Sequence, residues 1–166
     1  LRGEAVISYR DFEKINDGIE EAAAKYKNPR NLCSGSVRQL NNEVTAKRNV
    51  RFYAFSLVQA DGVDFSNSRA CQMEWLKSQG FEVVEYHIVE RDTVEQEVRW
   101  FSEKISGNEF PSDGLVLVLD DIAYGRSLGQ TAKFPRDSIA FKWADETRMT
   151  ELLESEWSPS RTALIN

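Results

Sequence analysis

Lys142 lies in the apolar run Ala140-Phe141-Lys142-Trp143. Asp113 lies in Phe110-Pro111-Ser112-Asp113-Gly114, just ahead of a second apolar run, Leu115 to Leu119. A lysine and a carboxylate on adjacent strands can grip a nucleotide. The ammonium neutralises phosphate charge that shifts in a transition state, and the carboxylate accepts ribose hydroxyls or holds a metal through water. Glu4, in Arg2-Gly3-Glu4, is a second carboxylate beside a glycine. Arg30 and Arg38 stand eight positions apart, with the small residues Cys33 to Ser36 between them. Guanidinium forks suit phosphate or carboxylate recognition. Phe55 offers a ring for a base, a contact worth about 1–3 kcal/mol.

Each residue also has a plain structural reading. Lys142 fits a solvent-facing position on a half-covered strand. Asp113-Gly114 and Glu4 beside Gly3 fit turn chemistry at strand ends. Arg30 and Arg38 fit a polar surface loop, and Phe55 fits a core. His87, the one histidine, reads as structural, since a lone His makes no metal site. Cys33 and Cys71 form no CxxC pair and read as small core residues with free thiols, as in a reducing cytoplasm. The weight rests on the order and spacing of these pieces together.

The elements that must position them follow from periodicity. Arg2 to Ile7 reads as a strand, and Ser8 with Asp11 as a helix start with Phe12, Ile15 and Ile19 on the buried face. Asn28 to Asn49 is polar, with a short helix expected around Ser36 to Leu40. Val50 to Val58 alternates, with Phe52 and Ala54 on one face and Tyr53, Phe55 and Leu57 on the other, so a strand covered on both faces is expected. Ser66 or Ser68 caps a helix through Met73, Trp75 and Leu76, and Gly80 closes it. Phe81 to Val89 reads as a strand, Thr93 to Gly107 as a helix, and Leu115 to Leu119 and Ile139 to Trp143 as strands. Irregular mixing of strands and helices predicts an α+β fold with mostly antiparallel sheets.

The 166 residues suffice for one domain with a core. The chain begins at Leu1 and reads as a segment of a longer protein. No apolar run approaches a membrane span. A net charge of −6 and a pI near 5.0 argue against a strong nucleic-acid binder by itself, so other parts of a longer protein would hold a duplex.

Asn28-Pro29-Arg30-Asn31, followed by Gly35-Ser36-Val37-Arg38-Gln39-Leu40, is the most specific stretch of the chain. With Arg2-Gly3-Glu4, Ser112-Asp113-Gly114 and Phe141-Lys142-Trp143 in that order, the chain resembles the second half of the adenylation domain of bacterial NAD-dependent DNA ligases. The resemblance implies a nucleotidyltransferase-fold fragment over residues 1–150, then a linker and the start of an OB domain over 151–166. It implies that Glu4 contacts the adenylate ribose and that Arg30 and Arg38 lie near the nucleotide and the nick phosphate. Phe55 would lie against adenine, Asp113 would be the acidic residue of the fourth motif, and Lys142 would contact the α-phosphate. The implied substrates are NAD, through its AMP moiety, and nicked duplex DNA, with Mg²⁺ assisting in the cytoplasm.

Several positions depart from that pattern. The nucleophile of the family belongs to a Lys-x-Asp-Gly motif upstream of Arg-Gly-Glu, and Lys14-Ile15-Asn16-Asp17-Gly18 has its lysine one position too far away. Many relatives carry a lysine where this chain has Val118, and an arginine where it has Ile105. Lys104, Arg126 or Lys133 are the cations that could compensate. A non-catalytic ligase-like nucleotide-binding or interaction module is the alternative reading. An ATP-dependent ligase or capping-type enzyme is opposed by the Asn-Pro-Arg-Asn loop.

Overall fold

Ser8 shows how local chemistry starts the fold. Its hydroxyl accepts from the Asp11 backbone N–H at 3.0 Å and donates to the Asp11 carboxylate at 2.8 Å. That capping ends strand β1 (Arg2–Val6) and opens helix α1 (Tyr9–Asp17). The computed structural model describes residues 1–21, 24–143, 149–151, 153–155 and 157. Helix α2 (Pro29–Val37) follows, capped by the Asn28 side chain with Pro29 in its first turn. Then come α3 (Asn42–Lys47), β2 (Arg51–Ser56), α4 (Arg69–Ser78) and α5 (Val94–Lys104), which tightens into a 3₁₀ turn over Ile105–Gly107. The last elements are β3 (Gly114–Val118), α6 (Ile122–Ser127) and β4 (Ser138–Lys142).

The architecture is α+β. β1 pairs antiparallel with β2, β3 pairs antiparallel with β4, and the two ribbons share no strand. One core cluster joins Ile7 to Leu32 and Cys33 of α2, with Phe12 and Ile15 of α1 against it. The other joins Ala54 and Leu57 to Met73 and Leu76 of α4. Among the described residues no helix is long and apolar enough to cross a membrane.

Four expectations are corrected. The helix expected near Ser36 to Leu40 instead covers Pro29–Val37. The Asn28 cap and Pro29 start it early, and Ser36 is a buried residue whose hydroxyl donates back to the Leu32 carbonyl at 2.6 Å. Helix α1 ends at Asp17, leaving Ile19 beyond it. The strand expected over Phe81 to Val89 shrinks to one parallel bridge, Ala54 with Val83, held by Ala54 N–H to the Glu82 carbonyl and Val84 N–H to the Ala54 carbonyl. Beyond it, side chains take over: His87 Nδ1 lies 2.7 Å from Glu97 of α5, and its ring packs on Trp100 and Phe101. That is the structural role expected of His87.

The fourth correction concerns β2. Ala54 and Leu57 share one core cluster although alternation puts them on opposite faces. The β1–β2 ladder explains it: Arg2 faces Ser56 and Gly3 faces Ala54, so Phe55 is an extra residue in a bulge. A bulge shifts the alternation beyond it by one position. Nor is the strand covered on both sides, since Phe52 and Phe55 are exposed. The stretch expected to open a further domain, Glu156 to Thr162, lies outside the described residues except for Trp157.

Two outcomes test this packing. The Asn49 amide and the Ser8 hydroxyl hold the Asp11 carboxyl below its ordinary value. A depressed folded pKa contributes stability above the unfolded value, about pH 3.9, and that stability is lost as pH falls through the folded value. Asp11→Asn therefore lowers the unfolding free energy from urea titration at pH 6, by under about 1 kcal/mol for a partly solvated group, and less at pH 3. Equal losses at both pH values would refute the pairing. For the thiols, burial, then the nearby Glu4 charge, raises the Cys33 pKa, whereas Cys71 is exposed. A thiol reagent at pH 7 should label Cys71 on mixing and Cys33 only on unfolding. Simultaneous labelling would contradict that core.

Candidate active site

One glycine and a strand register bring Asp113 and Lys142 together. Gly114 is paired with Lys142 at the open end of the β3–β4 ribbon, and the Trp143 N–H donates to the Asp113 carbonyl at 3.3 Å. A methyl group on Gly114 would meet the Phe141 carbonyl oxygen at 2.3 Å and the Lys142 Cα at 3.0 Å. Only glycine lets the strands close this tightly, and that places Lys142 Nζ 3.3 Å from Asp113 Oδ2. Both side chains stay solvated, 72% and 78% exposed. Opposed residues of an antiparallel pair share a face. Lys142 therefore lies on the face of Val116 and Val118, while Leu115, Leu117, Ile139 and Phe141 lie on the other.

Gly3 plays the same part in the first ribbon. A methyl there would lie 2.3 Å from the Phe52 ring and 2.4 Å from the Tyr53 carbonyl oxygen. Glu4 follows it, opposite Tyr53, with its side chain exposed. Its charge is felt by Cys33 of α2, so Glu4 and α2 are close neighbours. The bulge turns Phe55 out of the regular alternation and leaves it 48% exposed, in keeping with a ring free to meet a flat ligand and not with a core aromatic.

Arg30 and Arg38 are not in a loop. Arg30 sits in the first turn of α2 and Arg38 is its C-cap, both exposed. Eight positions along α2 separate their Cα atoms by about 12 Å. Among the described residues neither makes an ion pair. The helix is braced from behind by Arg48, which donates to Ser36 Oγ at 3.0 Å and Tyr26 Oη at 3.1 Å.

The cations weighed as replacements lie on different elements. Lys104 is ion-paired to Glu85 and lies over the Trp100 ring. Ile105 is half-buried in the 3₁₀ turn, Arg126 is in α6, and Lys133 is in the turn before β4. Val118 is exposed on the Lys142 face.

The candidate side chains Lys142, Asp113, Glu4 and Phe55 are solvent-exposed, and of these Asp113 and Lys142 are in contact. Two depressions, of about 510 and 530 Å³, lie elsewhere, one between α2 and α3 and one along α5, and neither is lined by Lys142, Asp113, Glu4 or Phe55. Among the described residues no three His, Cys, Asp or Glu side chains gather as a metal cage.

Residues that sequence reasoning passed over are Arg69 and Asp137. They form an ion pair across the chain at the inner end of the β3–β4 ribbon. No local periodicity announces a partner 68 residues away.

Comparison with known proteins shows the family of the chain. The family model described as "NAD-dependent DNA ligase adenylation domain" matches residues 1–146. A protein named "DNA ligase" from Ruminiclostridium cellulolyticum is 66% identical over all 166 residues, and one of the same name from Lachnoclostridium phytofermentans is 58% identical over the same span. One from Clostridium perfringens is 31% identical over 168 aligned residues. The chain spans 25% of the length of each of these relatives. With this match over residues 1–146, the chain belongs to the NAD-dependent DNA ligase adenylation domain family.

Proposed function

We propose that this chain is part of an NAD-dependent DNA ligase that seals nicks in duplex DNA, and that it supplies one wall of the adenylate cleft. Residues 1–150 would be a partial nucleotidyltransferase domain and 151–166 a linker with the start of an OB domain. The observation that carries the reading is the solvated Lys142–Asp113 pair at 3.3 Å on a family-matching chain. An exposed pair of this kind is worth about 0–1 kcal/mol, so little opposes Lys142 turning to a phosphate. Its ammonium then offsets charge on the α-phosphate oxygens while a lysine outside this chain attacks. In that step an N–P bond forms, the bond from phosphorus to the nicotinamide mononucleotide oxygen breaks, and the electron pair leaves with that oxygen. The proton from the attacking amine passes to solvent.

Glu4 and Asp113 would accept ribose hydroxyls, and Phe55 would stack on adenine. Arg30 would serve the nucleotide and Arg38 the nick phosphate, in keeping with their separation along α2. Mg²⁺, if used, would be held largely by phosphates and water, since the donor set here makes no cage. The chain alone would not adenylate: Lys14 sits in α1, one position too far from Asp17-Gly18 to match the family motif. A non-catalytic nucleotide-binding module is the second reading. Val118, exposed on the Lys142 face where relatives carry a lysine, favours it.

The test is AMP-adduct formation with NAD, read by intact mass in the full-length protein that carries this sequence. Wild type should gain one AMP, and Lys142→Ala should slow this by about 10²–10³-fold. The 166-residue chain should gain none. Wild-type rates in Lys142→Ala would remove Lys142 from the site, and AMP binding without any adduct would favour the module. Gly114→Ala should widen the strands at Lys142 and lower the rate by about tenfold or more. A crystal structure of that variant with the 3.3 Å pair intact would dismiss the role given to glycine.

A further inference from the structure

We propose that Arg69 and Asp137 are positioning residues for Lys142 and Asp113, clamping the far end of the ribbon on which those two stand. The proposal rests on the adenylation reading above.

Arg69 opens α4, where a cation meets the positive end of the helix dipole. Helix stability therefore does not explain it; its partners do. Its guanidinium pairs with the Asp137 carboxylate and donates from Nε to the Leu119 carbonyl at 3.0 Å. Leu119 leaves β3 and Asp137 immediately precedes β4. The Leu119 N–H in turn donates to the Asp137 carbonyl at 2.9 Å. One side chain thus grips both strands next to their last pair, Val118 with Ser138.

That grip sets register. Sliding β4 by one residue against β3 would move Lys142 to the opposite face of the ribbon. The clamp is also sheltered: the two side chains are 25% and 11% exposed. Removing one partner would leave the other poorly compensated. Asp137 cannot easily turn away, because α6 packs on it. A methyl on the buried Gly125 would lie 3.0 Å from the Asp137 Cβ.

The test is a double-mutant cycle in the full-length protein, reading the rate of AMP-adduct formation. The variants are Arg69→Ala, Asp137→Asn and the pair, with Lys142→Ala as reference. Asp137→Asn keeps the shape that α6 packs against, so it holds the fold while removing the charge. Assays run well below each variant's melting temperature. Each single variant should lose about 10- to 100-fold in kcat with the KM for NAD nearly unchanged, the double variant should lose no more than either single, and Arg69→Lys should recover part of the rate. Lower melting temperatures with wild-type kcat would reduce the clamp to a brace and overturn the proposal. Additive losses would overturn it too. If Lys142→Ala is itself active, the site reading fails and this inference with it. If Lys142→Ala is dead while the clamp variants are normal, only this inference falls.

Discussion

The fold depends on a knot of charge and caps at the N-terminal end of α4. Two ribbons of two strands each share no hydrogen-bonded edge, and an isolated two-stranded ribbon is marginal in water. Something other than a sheet must hold the second ribbon in place. Ser68 bonds Asp120, Asn67 bonds Asp121, and the Asp120 carboxylate accepts from the Ala70 N–H. Asp121 also caps α6 through the Tyr124 N–H. Arg69 and Asp137 close the set. A second anchor lies at the other end of β3, where Arg51 lies over the Tyr53 and Phe110 rings, themselves in edge contact, and pairs with Glu82 and Glu109. The ribbon is thus held by side chains before β3 and after it.

Holding by side chains has an energetic signature. Groups that are half-desolvated and multiply bonded contribute through what happens when one partner is lost, because the survivor keeps its desolvation cost. The solvated Lys142–Asp113 pair is the opposite case. It can exchange partners cheaply, as the phosphate contact proposed for Lys142 requires. The structure separates the two kinds of ion pair along one ribbon: a sheltered one at the inner end and an open one at the outer end.

The exposure of apolar side chains on the second ribbon follows from the same economy of sheet. Val116 and Val118 are exposed beside Lys142, and Ile139 is exposed on the opposite face. The first ribbon receives only two backbone hydrogen bonds from residues 82–84. A protein carrying 27 acidic against 21 basic residues still leaves Arg30 and Arg38 exposed and unpaired among the described residues, one at each end of α2.

Local chemistry made much of this readable from residues. Ser8 with Asp11, Ser68, and Gly80 at φ +85° mark helix ends within four residues of what they bond or bend, and β3 and β4 follow from short apolar runs. Asp113, Lys142 and Glu4 were legible because glycine and strand spacing travel with them. Other features depend on contacts distant in sequence. The bulge at Phe55 exists only against β1, so alternation within β2 placed Leu57 on the wrong face. Residues 81–89 look like a strand, yet backbone pairing with β2 is confined to residues 82–84 and His87 turns to α5. Arg69 and Asp137 carry no local mark at all. Hydrogen-bond periodicity and capping act over one or two turns of chain, whereas an ion pair across 68 residues forms only once packing has brought the two strands' inner ends to the start of α4.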